Sequence, residues 1–519
     1  METNSKIVAS DQAASIIKDG DTVATNGFIG IGVAEEVLIA IEKRFSETQT
    51  PKDITLVYAA GQGDAKDRGL NHFGYEKLLK RVIGGHWGLV PKIQKLALDN
   101  KIEAYNFPQG VISQMYRDIA AKRPRTINNI GLHTFVDPRD SGGKINEKTT
   151  EELVDLIEFD GKEYLSYKTF PIDIAIIRGT TADIDGNITM EKEALYIESL
   201  AIAMAAKNSG GKVIVQVERI AERNSLKSRD IKIPGILVDY IVLSDPKNHQ
   251  QTFAESYNPS YSGEVKVPLS DIVSMKMSAR KIVARRAVFE LSKGDIVNLG
   301  LGMPEGIASI AAEERIFQDV TLTAEPGVIG GVPAAGLSFG AASNVTTLLD
   351  QPSQFDFYDG GGLDIAFLGL AQADKNGNLN VSKFGPRYPG AGGFINISQC
   401  ARKVVFIGTF TAVGLRVSIK DGKLIIDEEG KKRKFVNQVE HVTFSGRFAQ
   451  ENKKSVLYVT ERCVFKLGVK GMELVEIAPG IDIEKHILPY MDFEPIIEKT
   501  PKLMEEKIFY EDIMNFCLV

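Results

Sequence analysis

Short β-branched runs alternate along the chain with amphipathic, helix-like stretches, and glycine turns separate the two. Each cycle reads in one order: helix, Gly-Asp turn, buried strand, glycine loop, helix. One cycle starts at Ala13-Ala14-Ser15-Ile16-Ile17-Lys18-Asp19-Gly20-Asp21-Thr22-Val23 and leads into Asn26-Gly27-Phe28-Ile29-Gly30-Ile31-Gly32. A second starts at Ala287-Val288-Phe289-Glu290-Leu291-Ser292-Lys293-Gly294-Asp295-Ile296-Val297 and leads into Asn298-Leu299-Gly300-Leu301-Gly302-Met303-Pro304. A further pair repeats more clearly. Asp173-Ile174-Ala175-Ile176-Ile177 runs to Asp183-Ile184-Asp185-Gly186-Asn187, and Asp364-Ile365-Ala366-Phe367-Leu368 runs to Asp374-Lys375-Asn376-Gly377-Asn378, at a constant offset of 191 residues. The Gly-Asn step after an aspartate predicts a hairpin turn in both copies.

Strands alternating with helices predict an α/β fold: two structurally related open α/β domains, each with a mostly parallel sheet and flanking helices. The boundary is expected after Tyr257-Asn258-Pro259-Ser260-Tyr261-Ser262, giving an N-terminal domain over 1–262 and a C-terminal one over 263–519, with helical patterning resuming at Leu269. The Gly-Asp turns lie 274 residues apart, so the first copy carries 83 extra residues between its markers. Much of that excess falls between Arg81 and Asp160, where the polar stretch Arg139–Glu151 predicts a loop or lid and Gly84-Gly85-His86-Trp87-Gly88 a glycine turn.

At 519 residues the chain exceeds one ordinary core, which agrees with the duplication. Hydrophobic content of 43% with 25% charged residues is that of a globular protein. Sixty-two basic against 68 acidic residues leave a net charge of −6 with both signs interspersed, which argues against nucleic acid or an anionic membrane as partner. No apolar run approaches the ~20 residues of a membrane span, and the Met1-Glu2-Thr3-Asn4-Ser5-Lys6 start lacks a secretory layout, so a cytoplasmic protein is expected. Cys400, Cys463 and Cys517 are odd in number and far apart, and the six histidines show no paired spacing; neither a disulfide framework nor a metal site is expected.

Candidate chemistry concentrates at Glu325. It closes the β-branched run Asp319–Ala324 and is followed by Pro326-Gly327-Val328-Ile329-Gly330-Gly331-Val332-Pro333. A carboxylate at a strand end facing apolar, glycine-rich chain is costly unless it is paired or used. Ligands on parallel sheets collect at the carboxyl ends of strands, where Glu325 is expected. Four glycine clusters fall around strand ends in the same half: Gly300–Gly306, Gly327–Gly340, Gly360–Gly362 and Lys383–Phe394. Singly each reads as a tight turn; together they suggest a trough for an extended ligand, in which Lys383 and Arg387 are candidates for phosphate contacts.

The order Gly-Asp-x-Val-Asn-Leu-Gly-x-Gly-Met-Pro, Glu325-Pro326-Gly327, Gly-Gly-Gly-Leu-Asp and Gly390-Ala391-Gly392-Gly393-Phe394 closely resembles class I CoA-transferases. More narrowly it resembles the single-chain acetate/propionate type, in which two subunits of heteromeric relatives are fused as N- and C-terminal halves. The resemblance implies that Glu325 is a nucleophile carrying CoA as a glutamyl thioester. It implies that Gly300, Leu301, Gly302, Met303, Gly392 and Gly393 line the CoA and oxyanion region. Coenzyme A or acyl-CoA would then be substrate, with no permanently bound cofactor. The partners implied are short-chain carboxylates (acetate, propionate, butyrate or lactate), in a homotetramer. Ile54-Thr55-Leu56-Val57-Tyr58-Ala59 parallels Val320–Glu325 and places Ala59 opposite the glutamate. The N-terminal half is therefore expected to supply the acyl pocket, through Asn26, Gly27, Phe28 and Gln62, with a turn-satisfying role for Gln62 as the close alternative.

Rival readings remain at this level. Gly300-x-Gly302-x-x-x-Gly306 after a strand, with an acid further on, imitates a dinucleotide-binding fingerprint and so an NAD-dependent oxidoreductase. The Pro-Gly after Glu325, the duplicated plan and the lack of a hydride-site constellation weigh against it. A catalytically dead acid-binding protein is disfavoured by the intact Glu325. An acyl-CoA hydrolase on the same fold differs only in admitting water as acceptor.

Overall fold

The computed structural model describes residues 5–268 and 275–518. The helical patterning expected from Leu269 begins outside the described residues; a helix occupies Ala279–Val288. Two large sheets organise the chain. The first has eight strands in the order Ile7–Val8, Tyr240–Leu243, Lys212–Val217, Ile174–Arg178, Thr22–Thr25, Ile54–Tyr58, Leu79–Gly84 and Glu103–Asn106, all parallel. The second has ten, in the order Thr347–Leu348, Val328–Ile329, Thr321–Ala324, Ile296–Leu299, Ile365–Gly369, Lys403–Ile407, Ser455–Val459, Cys463–Gly468, Gly471–Ile477 and Lys502–Leu503. It is parallel from Thr321–Ala324 to Ser455–Val459 and carries antiparallel strands on both sides of that block.

A parallel sheet must be covered on both faces, which explains why its strands are apolar throughout rather than at alternate positions. Ile174–Arg178 is buried at every residue. Val23, Leu56, Val82 and Ile176 pack into one core with the helix Glu35–Thr48. Ala24, Val57, Ile83, Ala175 and Ile177 pack into another with the helices Gln109–Ala120 and Ser199–Asn208.

The duplication is visible bond for bond. Asp183 Oδ1 accepts the N–H groups of Asp185 and Asn187 at 3.0 and 2.9 Å. Asp374 Oδ1 accepts those of Asn376 and Asn378 at 3.0 and 3.1 Å. Each turn joins a short antiparallel hairpin, Thr181–Asp183 with Ile188–Thr189 and Gln372–Asp374 with Leu379–Asn380. At the Gly-Asp turns, Thr22 N–H donates to Asp173 Oδ2 and Ile296 N–H to Asp364 Oδ2, at 2.8 and 2.9 Å.

The extra residues of the first half build the strands Leu79–Gly84 and Glu103–Asn106 with the helix Pro91–Leu98 between them, and a separate antiparallel sheet of Arg125–Asn128, Lys162–Lys168 and Val154–Phe159. The predicted loop Arg139–Glu151 has no strand or helix of its own. It is fastened along the sheet's edge strand: Asn106 N–H donates to Gly143 O at 2.7 Å and Ala104 N–H to Thr149 Oγ1 at 2.7 Å. Covering an open edge in this way satisfies backbone groups that would otherwise invite another strand.

The two halves meet across the glycine turn after Leu79–Gly84. Trp87 and Gly88 N–H both donate to Pro389 O, at 2.7 and 3.0 Å, and Gly392 N–H donates to Gly85 O at 2.7 Å. The first half's cores continue into the second through Val328, Phe339 and Tyr388 on one face and Ala391 and Ile395 on the other.

Candidate active site

Glu325 sits in the turn of a β-hairpin. Ala324 pairs with Val328, and Gly327 N–H closes the turn onto Ala324 O at 3.1 Å. The turn requires glycine at 327, where φ is +124° and a methyl group would lie 2.1 Å from Leu349 O. The adjoining strand contributes Asn298, fully buried and in register with Thr323. Its Nδ2 donates to Tyr358 Oη at 3.3 Å, and that hydroxyl donates to Thr323 Oγ1 at 2.7 Å.

Gly393 closes the other side. A methyl group there would lie 3.4 Å from Glu325 Cγ, from Ile397 Cδ1 and from Phe355 Cζ, so the loop backbone comes up against the carboxylate's stem. Packed this way but still partly open to solvent, the Glu325 carboxyl is pushed up to about 7 by lost hydration. The backbone of Glu325 and the Asn298 side chain oppose the push by hydrogen-bonding the ionised form. Near neutrality the group is thus divided between an ionised, nucleophilic form and a neutral one.

His86 approaches the same loop from the other half: a methyl group on Gly392 would lie 3.7 Å from its Cδ2. Lost hydration lowers its imidazole to about 4, so it is neutral, and its Nδ1 has no partner among the described residues. Gln109 reaches the same glycine, with its Oε1 3.7 Å from that methyl position and its backbone N–H donating to Gly392 O at 3.0 Å.

The remaining predicted residues fall as follows. Gly300, Leu301, Gly302 and Met303 form the entry to the helix Gly306–Glu313, with Leu301 57% exposed. Gly302 holds φ +87° with open space around it. Two of the backbone N–H groups considered for an oxyanion are engaged: Gly300 donates to Phe367 O at 2.9 Å, and Gly392 to Gly85 O. Asn26 is buried and donates to Ser199 Oγ at 2.7 Å. Gln62 is fully buried behind Gly27 and donates to Thr25 O at 3.0 Å, while its Oε1 has no partner among the described residues. Phe28 packs on Phe339 from the second half, with ring centroids 6.0 Å apart. Arg387 is exposed, whereas Lys383 is half-buried and bears electrostatically on Asp140 and His441.

Asn298, His86 and Gln109 were not singled out from the sequence as site residues. Asn298 had a signal, a lone amide in the apolar strand Ile296-Val297-Asn298-Leu299. A cleft of about 380 Å³ lined by Glu35, Arg68, His72, Arg178 and Phe253 contains none of the predicted site residues. Among the described residues no group of three His, Cys, Asp or Glu could hold a metal ion, and no helix is long and apolar enough to cross a membrane.

Comparison with known proteins gives a consistent picture. The coenzyme A transferase family profile matches residues 7–244. The caffeate CoA-transferase of Acetobacterium woodii is 50% identical over 512 residues, 98% of each chain. The acetate CoA-transferase YdiF of Escherichia coli (strain K12) is 44% identical over 514 residues, 99% of this chain and 96% of that one. One subunit of the probable succinyl-CoA:3-ketoacid coenzyme A transferase of Bacillus subtilis (strain 168) is 28% identical over 258 residues, 50% of this chain and 98% of its own. Among solved structures, the acyl-CoA transferase YdiF apoenzyme from E. coli O157:H7 superposes with a TM-score of 0.95 at 43% identity, over 100% of this chain and 98% of that one. The same enzyme's thioester complex with CoA gives a TM-score of 0.94 at 43% identity, over 99% and 98%. Full-length identity at this level places the chain in the coenzyme A transferase family.

Proposed function

We propose that this chain transfers CoA between a short-chain acyl-CoA and a free carboxylic acid through a thioester on Glu325. The Glu325 carboxylate attacks the acyl-CoA carbonyl and expels CoA thiolate, leaving an acyl-glutamyl anhydride. The retained thiolate attacks the Glu325 carbonyl and releases the donor acid, so CoA is now held by the protein. The acceptor carboxylate reverses both steps. Each bond broken is replaced by one of similar energy, so no nucleotide is consumed.

The observation that carries this reading is the packing of Glu325: a carboxyl raised to about 7, aimed from a hairpin turn and abutted by Gly393. Partial desolvation makes its carboxylate more reactive and limits access of water to the thioester. In support, the related YdiF enzyme is described as forming a thioester complex with CoA. Gly300, Gly302, Met303 and the exposed Leu301 are assigned to the CoA side, Leu301 against the apolar pantetheine arm. Gly393, rather than the engaged Gly392 amide, is assigned to the developing oxyanion, where one such donor is worth on the order of 3 kcal/mol. Lys383 and Arg387 are assigned to CoA phosphates. Asn26, Gly27, Phe28 and Gln62 are assigned to the acyl side.

The halves 1–262 and 263–519 divide these tasks as two subunits would, and the Bacillus chain that matches half of this one supports that division. We also infer a cytoplasmic homotetramer on the family resemblance; light scattering should give the mass of four chains. Acids of two to four carbons are the proposed acceptors. A panel from C2 to C6, with an aromatic acid included because of the caffeate relative, would rank them, with each methylene worth ~1–3 kcal/mol.

Borohydride tests the mechanism. Treatment after acyl-CoA, with no acceptor present, should reduce the glutamyl thioester and inactivate the enzyme permanently. Borohydride without acyl-CoA should leave it active. Equal survival in both arms would refute a covalent thioester.

A further inference from the structure

A chain of buried polar side chains crosses between the halves and ends on the loop beside Glu325. It starts at Glu198, which is fully buried and precedes the helix Ser199–Asn208. Glu198 Oε1 accepts from Gln351 Nε2 at 2.8 Å, and its Oε2 has no partner among the described residues. Gln351, also fully buried, donates from Nε2 to Ser113 Oγ at 2.8 Å and accepts at Oε1 from Gln109 Nε2 at 3.2 Å. With its nitrogen placed between Ser113 and Glu198, the Gln351 amide turns its oxygen to Gln109. Gln109 Oε1 then faces Gly392, 3.7 Å from where a methyl group would stand, while its backbone N–H holds Gly392 O at 3.0 Å. The next residue, Gly393, is the one against Glu325.

We propose that Glu198 is a positioning residue for CoA transfer: by fixing Gln351 it seats Gln109 on the Gly390–Gly393 loop and so keeps that loop against Glu325. This rests on the reading of Glu325 given above.

Glu198 does this as a neutral acid. Burial pushes its carboxyl up to about 8, with Asp350 nearby adding to the rise. The groups facing it are Tyr116, from the helix Gln109–Ala120, and Asp350, the N-cap of the helix Gln351–Asp359. Among the described residues no cation compensates it: Arg117 and Asp356, on those two helices, pair with each other at the surface, and Lys207 on its own helix pairs with Asp239. Asp359 is bonded to Asn396 and Gln114. Ionisation would leave a buried carboxylate with an unpartnered oxygen and a like charge beside it. Gln351 and the Glu198 backbone bond the ionised form more strongly, so the disturbance comes from burial and from Asp350: such a group draws water into the packing around the Gln351 contact.

The test compares pH profiles of kcat/KM for Glu198→Gln, Glu198→Ala and the wild type. The wild type should lose activity as pH rises through about 8. Glu198→Gln keeps an acceptor for Gln351 and cannot ionise; it should match the wild type within about threefold at pH 7 and lack the alkaline fall. Glu198→Ala should lose kcat about 10- to 100-fold, with KM for acyl-CoA changed less than kcat, because Glu198 touches no substrate. An alkaline fall in Glu198→Gln identical to the wild type's overturns the proposal, as does wild-type kcat in Glu198→Ala. Should the alanine variant not fold, the glutamine profile decides alone. The profiles are read on CoA transfer itself, so they judge Glu198 even if borohydride fails to trap Glu325.

Discussion

The two halves share one blueprint and differ where the chemistry is. In the first, Ile54–Tyr58 continues into Ala59, which is fully buried, and the sheet extends through two more parallel strands. In the second, the equivalent strand Thr321–Ala324 ends at Glu325 and folds straight back as an antiparallel hairpin. The first arrangement closes the strand end with backbone: a methyl group on Gly85 would lie 2.0 Å from Ala59 O. The second presents a side chain to Gly393, on the loop that meets the first half through Gly392. A duplicated fold thus keeps its frame while the termination of this one strand decides whether that end is packing or a reacting group.

The largest effect that can break this contrast is at Glu325. Glu325→Ala should lower kcat at least about 10⁴-fold in steady-state assays, and Glu325→Gln should be nearly inactive when assayed promptly after purification. Substantial activity in the alanine variant would place the chemistry elsewhere.

Next come the glycines that close each strand end. Gly85→Ala drives a methyl group into a backbone oxygen and should destabilise the fold by about 2–4 kcal/mol in denaturant titrations. Gly393→Ala meets only ordinary contacts and should fold, yet lower kcat about 10- to 100-fold by crowding Glu325. The reverse pattern would mean that the second strand end, too, is packing.

Protonation sharpens the contrast further, because only the second half places a titrating carboxyl there. The kcat/KM of the free enzyme should rise with pH through about 7, as Glu325 ionises. Its folded value lies above the unfolded 4.5, so native Glu325 resists ionising and stability falls as pH rises between the two values. Glu325→Gln should therefore lose less stability than the wild type between pH 5 and 8, by on the order of 1–2 kcal/mol after allowing for residual hydration. Asp359, also raised to about 7, contributes equally to both proteins and cancels. An identical pH dependence of melting in the two would contradict the raised carboxyl.

The smallest effect tests the shared frame. Asp183→Ala and Asp374→Ala remove the same turn bonds from the two halves and should each cost about 1–2 kcal/mol. A difference of several kcal/mol between them would show that one turn has lost its structural role.

Much of this contrast was legible in the chain. The 191-residue repeat gave two α/β units, and the β-branched run before Glu325-Pro326-Gly327 gave a carboxylate at a strand end. The meeting of Gly85 with Gly392, or of Glu198 with Gln351, was not legible. These contacts join positions more than a hundred residues apart, and a lone Gln or Glu carries no periodic signal. Arg139–Glu151 reads correctly as a loop, but its bonds to the strand Glu103–Asn106 come from a sheet edge that only the folded topology creates. Gln62 is similar: its amide nitrogen bonds the Thr25 carbonyl while its oxygen has no partner among the described residues, and a lone Gln signals neither.

Peptide mapping by mass spectrometry is the most direct measurement. After incubation with acetyl-CoA and no acceptor, the peptide containing Glu325 should gain the mass of CoA less one water, and an added acid should discharge it. The same mass gain on another residue, or none at all while transfer proceeds, would contradict the account.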